Sequence, residues 1–334
     1  MRTLRSLRSR RAGAVVAVCA TLVGAAAATA VVPASAAGYG SAATKVVGSN
    51  FADPGFGRFT TRAAGTRYYL YATGMRVASS THPQRGFSVV GSAMPTRPSW
   101  VSPTNPSLWA PHVFQTSRTP GAERFTMYFS GRNRNTGHNC VGVATSSRPT
   151  GPFTATSKPL ICPPRGYMEA IDASEYRSRY GNRYLLYKIG NYSPRRFQVM
   201  AVRMDNHRGT SRVGTPKVVL SAARVGSAVA EAPSMIRTAN GQVWLFVSRN
   251  GYLDCNYATQ AWSGPDMFSL RNRGYVRGMG VSTTDRFCGP GGATVLRDGS
   301  AYRIAFHTRA SRSPLVRPAW VGSLGFDSRG AYLH

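Results

Sequence analysis

The chain has 334 residues, enough for one large domain or two small ones, and carries 42 basic against 12 acidic residues for a formal net charge of +30. The bases are almost all arginine and lie scattered along the whole chain, with no basic helix and no clustered arm, which argues against a nucleic-acid binder. The partners left for so cationic a surface are polyanions such as an acidic glycan or an anionic cell wall, drawn by long-range, salt-sensitive forces, unless the charge is a general arginine bias without a role.

The N-terminus comes first. Residues 1–12 hold five arginines and no acid, an Ala/Val-rich run extends from Gly13 to Val32, and PASAA follows as a small-residue cleavage site. This predicts a secretory signal peptide over residues 1–37, removed near Ala36 or Ala37, with an extracellular mature chain. The run approaches membrane-spanning length, but the small-residue site favours removal over anchorage. Arg10-Arg11 leaves general and twin-arginine export both open. No later apolar stretch suits a membrane, so residues 38–334 are expected to form one soluble, monomeric domain. Its charge is 37 basic against 12 acidic residues, or +25.

Past the leader, short strands alternate with Gly, Pro, Ser and Asn clusters, and helical periodicity is nearly absent, which predicts an all-β chain. A two-part phrase recurs five times: a short segment of small residues, then an aromatic alternating strand. The copies are ADPGF with RYYLYATG, WAPHVF with RFTMYFSGR, AIDASEY with RYLLYKIG, AEAPSMI with QVWLFVSRNG, and CGPGGATVL with AYRIAFHTR. Marked at Asp53, Ala110, Asp172, Glu231 and Gly291, they recur at 57, 62, 59 and 59 residues. Five repeats with room for four strands each predict a five-bladed β-propeller, because a lone blade cannot bury both faces and radial stacking covers them. Four cysteines remain after the leader, which reads as two disulfides with three connectivities open. The local pairing Cys140–Cys162 with Cys255–Cys288 is preferred, because each then closes a short loop. With no C-x-x-C pair, no zinc site is expected.

The first segment of each phrase should be the innermost strand of its blade, so residues in register face one another across the axis. Asp53, Asp172 and Glu231 stand at the marker, each after an apolar residue and before Ala or Pro. Most other acids sit in turn-like contexts. Carboxylates converging at the mouth of an apolar tunnel are costly unless paired or functional. They suit glycoside hydrolysis, in which one carboxylic acid protonates the leaving oxygen and a carboxylate activates water or attacks the anomeric carbon. A third negative charge nearby keeps the acid protonated.

At these residues the sequence resembles glycoside hydrolase family 43. The motifs are Asp-Pro in ADPGF, LWAPHV, GVATSSRPTGPF, AIDAS, EAPS, and GPGG followed by AFH, in order across residues 45 to 325. GHNCVGVATS, PLICPP and EAPSMI look most like an arabinan- or xylan-active branch. The resemblance implies a five-bladed propeller that inverts configuration, with Asp53 as general base, Glu231 as general acid and Asp172 orienting that acid and raising its pKa. It also implies His307 on the axis, touching a water or a calcium ion. No cofactor is required. Arg309, two residues on, is expected to reach the sugar, and Trp109 to stack on it. Where many members read WAPDV, IDPS and GPGH, this chain has His112, Ala173 and Gly292, which puts the calcium and the finer substrate preference in question. The expected substrate is an arabinofuranosyl polysaccharide or oligosaccharide. The alternatives are a β-xylosidase of the same family and a propeller that binds an acidic glycan or cell wall without catalysis.

Overall fold

Along the aromatic strands successive side chains point to opposite faces, and both faces are apolar, so each strand requires cover on two sides. In the structure, a computed structural model describing residues 42–192, 195–280 and 287–334, that cover comes from neighbouring sheets. The predicted leader, residues 1–37, lies outside the described residues. The first strand, β1 (Ala43–Val47), belongs to the last blade. Blade one is β2 (Gly55–Thr61), β3 (Gly65–Ala72), β4 (Arg76–Ser80) and β5 (Ser88–Ser92). Blade two is β6 (Leu108–Ser117), β7 (Arg124–Arg132), β8 (Asn139–Ser146) and the short β9 (Thr154–Ala155). Blade three is β10 (Glu169–Arg177), β11 (Arg183–Tyr192), β12 (Arg195–Arg203) and β13 (Lys217–Ser221); one helical turn, α1 (Ala222–Val225), follows. Blade four is β14 (Ala230–Arg237), β15 (Val243–Arg249), β16 (Ala258–Gly264) and β17 (Arg271–Tyr275). Blade five opens with β18 (Gly291–Asp298) and β19 (Ala301–His307). A small hairpin of β20 (Ser311–Arg312) and β21 (Leu315–Val316) precedes β22 (Ala319–Asp327) and β23 (Gly330–Leu333). All ten segments of the repeated phrase overlap the first and second strands of their blades.

Blade five is completed by the N-terminal segment, since β1 pairs antiparallel with β22, Ala43 opposite Gly322. This locks the two ends of the propeller chain into one sheet. The closure is also visible in the core, which is five apolar clusters, one at each blade interface. Tyr69 and Tyr71 of β3 meet Phe125 and Phe129 of β7. Tyr128 meets Leu185 and Tyr187, and Leu186 and Val199 meet Leu245 and Val247. Phe246 meets Ile304 and Phe306. The fifth cluster joins Ala305 and Val321 of blade five to Phe56 and Leu70 of blade one. Tyr69 and Leu70 are neighbours in sequence yet serve different interfaces, which is the period-two pattern at work. Burying each such large side chain contributes roughly 1.5–3 kcal/mol, so the interfaces dominate stability.

Two disulfides pin loops at this scaffold: Cys140–Cys162 and Cys255–Cys288, the local pairing. The second does not stay within one blade; it ties the β15–β16 loop to the segment entering blade five. Cys140 and Cys162 are 22 residues apart, and loop-closure entropy for that span is worth about 3 kcal/mol. Replacing both by serine should lower the unfolding free energy by about that amount in denaturant titration, with the far-ultraviolet spectrum of the folded state unchanged.

Candidate active site

Each of the inner strands β6, β10, β14 and β18 is broken by a bulge after its first residues, between Trp109 and His112, Ile171 and Ser174, Glu231 and Ser234, and Gly291 and Thr294. The bulge begins on a residue with positive φ: Ala110 (45°), Asp172 (57°), Ala232 (49°) and Gly292 (61°), with Asp53 (53°) in the matching place before β2. Left-handed backbone costs a non-glycine residue roughly 1–2 kcal/mol, and a bulge re-aims the side chain it carries. A proline follows at Pro54, Pro111 and Pro233, where its missing N–H costs no ladder bond. These five residues stand 57, 62, 60 and 60 apart and line one axial cavity of about 30 Å³, room for a water.

The repeat register therefore needs one correction. Asp53 and Asp172 occupy the left-handed position, but in blades four and five that position is Ala232 and Gly292, not Glu231 and Gly291. Glu231 stands one residue earlier, opposite Ser248 of β15. Its carboxylate lines a second cavity of about 540 Å³, walled by Lys188, Phe197, Val229, Asn250, Tyr252 and Asp254 among others.

The backbone N–H of each left-handed residue is held across a blade interface. Ala110 donates to Thr73 Oγ1 (3.2 Å), Asp172 to Ser130 Oγ (3.1 Å), Gly292 to Ser248 Oγ (2.9 Å) and Asp53 to His307 Nδ1 (3.1 Å). The equivalent second-strand residue in blade three is Lys188, which has no lone pair to offer. There the carboxylate Oδ2 of Asp172 accepts from Ala232 instead, at 3.0 Å. Lys188 turns to the acids: its ammonium lies 2.8 Å from both Glu169 and Glu231 and is itself buried. Burial opposes its charge, but Glu231, Glu169 and Asp172 together hold it protonated far above the usual range.

The two aspartates are tuned in opposite directions. Burial pushes Asp53 up, but the Arg317 guanidinium at 3.3 Å, His307 and the Thr73 hydroxyl at 2.6 Å outweigh it and hold the carboxyl below its ordinary range. Burial, then the charge of Glu231, push Asp172 up to about 8, with Lys188 only partly compensating. Tyr257 binds this set together. It is buried, hydrogen-bonds Ser248, and burial followed by the charges of Glu231, Asp53 and Asp172 drives its hydroxyl pKa upward. Its ring lies over Gly291, where a Cβ would come within 2.2 Å, and stacks at 5.7 Å on His307. The three predicted acids thus share one electrostatic neighbourhood.

The other predicted residues are placed differently. Trp109 is half-buried, one residue before Ala110, the place that Glu231 takes in blade four. Arg309 does not point toward the acids. It lies past the end of β19, and its guanidinium holds the Leu253 carbonyl and the Cys255 sulfur. The arginine that meets the acid set is Arg317, stacked 4.9 Å from the half-exposed Tyr252 ring. Sequence reading passed over Arg317, Lys188 and Tyr257. Lys188 had a signal: ATG, FSG, YKIG, VSRNG and FHTR align Thr73, Ser130, Lys188, Ser248 and His307.

His307 is buried, and burial lowers its pKa to about 4, so the ring is neutral. With Nδ1 accepting from Asp53, the proton sits on Nε2, which has no hydrogen-bond partner among the described residues. An N–H cannot ligate a cation, so direct calcium ligation by His307 does not fit this arrangement. Among the described residues no group of three or more His, Cys, Asp or Glu side chains is disposed to hold a metal.

Carboxyls gathered at a propeller axis are compatible with glycoside hydrolysis. The profile of glycosyl hydrolases family 43 matches residues 45–321, and the chain belongs to that family. No curated protein sequence matches it. Among solved structures it is similar to a family-43 endo-arabinanase from Bacillus licheniformis (TM-score 0.66, 22% identity, covering 86% of this chain and 98% of that one). It is similar as well to an endo-arabinase from Bacteroides thetaiotaomicron (0.66, 19%, 85% and 98%) and an endo-1,4-β-xylanase from the same organism (0.63, 19%, 86% and 96%).

A Cβ at Gly292 would lie 2.6 Å from the His307 ring and 3.1 Å from Asp53 Oδ1. Gly292→Ala should therefore destabilise the fold by about 1–3 kcal/mol in chemical denaturation, and more than Gly299→Ala, a positive-φ glycine with open space around it.

Proposed function

We propose that the chain is an exported, inverting glycoside hydrolase that cleaves arabinofuranosyl linkages in polysaccharide, its leader removed near Ala36 or Ala37. The observation that carries the reading is the opposed tuning of carboxyls in one neighbourhood: Asp53 held ionised, and a proton retained near neutral pH where Asp172 faces Glu231. Pairs of carboxyls pushed apart in this way divide base and acid work between them. The arabinanases among the similar structures support the sugar.

In this mechanism a water on the Asp53 side loses its proton to Asp53 while its oxygen attacks the anomeric carbon. The glycosidic C–O bond breaks, and the leaving oxygen takes a proton from Glu231, which faces the cavity large enough for sugar. Asp172, raised to about 8 by burial and the charge of Glu231, is a positioning residue beside the acid. Lys188, fixed between Glu169 and Glu231, holds the acid's side chain toward the cavity. Trp109 and the Tyr252–Arg317 pair are the proposed sugar contacts, while Arg309 positions the Leu253–Cys255 segment that walls the cavity. No step runs through calcium.

Glu231→Gln should lower kcat on linear arabinan by about 10²–10⁴ but less on an aryl arabinofuranoside, whose leaving group needs no proton. Asp53→Asn should lose comparable activity on both. A wild type inert on arabinan, aryl arabinofuranosides and aryl xylosides would overturn the hydrolase reading in favour of a binding propeller, and activity confined to xylosides would reassign the sugar.

The pH dependence follows from the same groups. Activity requires Asp53 ionised and Asp172 protonated, so kcat/KM should be bell-shaped. Its acid limb should lie below the ordinary carboxylate range and its basic limb near 8. In Asp172→Asn the group that titrates near 8 is gone, and the basic limb near 8 should be lost from the profile.

A further inference from the structure

Counting five residues on from the left-handed residue of each blade gives Arg58, Gln115, Arg177, Arg237 and Arg297. Four of the five are arginine, one from each of blades one, three, four and five. Five residues of extended chain rise roughly 16 Å, so this second ring lies far along the inner strands from the acids. There the chain encloses another cavity, of about 640 Å³, whose lining includes all five positions together with Arg118 and Arg179. Among the described residues, six arginines line it against one acid, Glu175.

That acid does not balance them. Glu175 is engaged by the fully buried Arg183 at 2.9 Å and by Arg177 at 3.4 Å. Arg58 is paired outside the lining, with Asp298 at 3.2 Å. Among the described residues, Arg118, Arg179, Arg237 and Arg297 have no carboxylate within 4 Å. Arg237 and Arg297 each donate Nε–H to a carbonyl in the turn of their own hairpin, Gly241 at 3.3 Å and Gly299 at 3.2 Å, whereas Arg177 is engaged through all three nitrogens, by Glu175 and by the Gly181 and Asn206 carbonyls. The contacts of Arg237 and Arg297 fix each stem and leave their terminal guanidinium nitrogens available.

We propose that this end of the tunnel is a binding site for a compact ligand bearing several oxyanionic groups. The spacing selects the ligand class. Guanidinium forks pair with phosphate, sulfate and carboxylate oxygens, and arginines contributed by separate blades around an axis cannot all be reached by one monovalent ion. A multivalent anion seated on the axis reaches several at once. The cavity volume suits a small molecule or the end of an oligomer, and a nucleic-acid duplex does not enter it. The site is independent of hydrolysis at the opposite end.

Calorimetric titration of the whole protein with tripolyphosphate tests this, with trigalacturonate as a second probe that separates phosphate from carboxylate recognition. The expected result is saturable binding of one tripolyphosphate per chain that weakens as salt rises. Each cavity arginine lost should weaken it about tenfold: about a hundredfold in Arg237→Gln/Arg297→Gln, and about tenfold in Arg297→Gln alone should the double variant not fold. The control Arg148→Gln/Arg271→Gln removes the same charge from exposed positions outside the cavity and should stay within about twofold of wild type. Glu231→Gln should bind unchanged, so loss of the hydrolase reading would leave this one standing. Absence of saturable binding by both probes, or equal weakening by the cavity and control pairs, overturns the proposal.

Discussion

The ring is tied by a backbone N–H of one blade donating to a side chain of the blade before it, and the chemistry depends on that bond. The donor is the left-handed residue at the bulge of each inner strand; the acceptor is the second-strand residue of the preceding blade. Thr73, Ser130, Ser248 and His307 fill the acceptor position, and each satisfies a buried amide that would otherwise cost about 1–3 kcal/mol. The strained backbone persists because the bond and the bulge over-determine it. Strain, bulge and bond together aim the side chains of Asp53 and Asp172 into the axis.

Blade three departs from that rule, and the arrangement of the acids follows from the departure. Lys188 cannot accept, so the Ala232 amide is satisfied by Asp172, a carboxylate drawn from the bulge itself. Asp172 is thereby fixed next to Glu231, whose charge, added to burial, raises its pKa. Lys188 stands between Glu169 and Glu231 and holds the second of these in place. A serine at position 188 would restore the five-fold pattern but remove the cation that makes three buried carboxyls tolerable. One substitution in a structural repeat accounts for both the placement of the acid pair and its electrostatics.

The strands and their five-fold return were legible because they follow from period-two burial and turn residues, which are local properties of the chain. The pairing of β1 with β22 was not, since Ala43–Val47 carries no repeat phrase and its role is set only by ring closure. Asp53 and Asp172 were placed in register correctly. Glu231 and Gly291 were set one residue early, because a bulge inserts a residue that spacing alone cannot assign to one side or the other. Arg309 was read as pointing with His307 by strand alternation, but β19 ends at His307 and alternation ends with it. Arg317 reaches Asp53 from beyond a small hairpin, a contact with no trace in periodicity.

Gly292 and His307 share one space: the volume a Cβ would take at position 292 is filled by the His307 ring. That ring arrives from the second strand, accepts the Asp53 amide through Nδ1 and stacks on Tyr257. A histidine at position 292 and the present orientation of His307 exclude each other sterically. The duty of His307 is to close the last interface of the ring and set the backbone of Asp53. A neutral ring suits that duty, because an imidazolium would have no lone pair for the amide, and burial keeps it neutral down to about pH 4. The axis of this propeller is thus closed by one hydrogen bond, from the Asp53 amide to a neutral His307 ring.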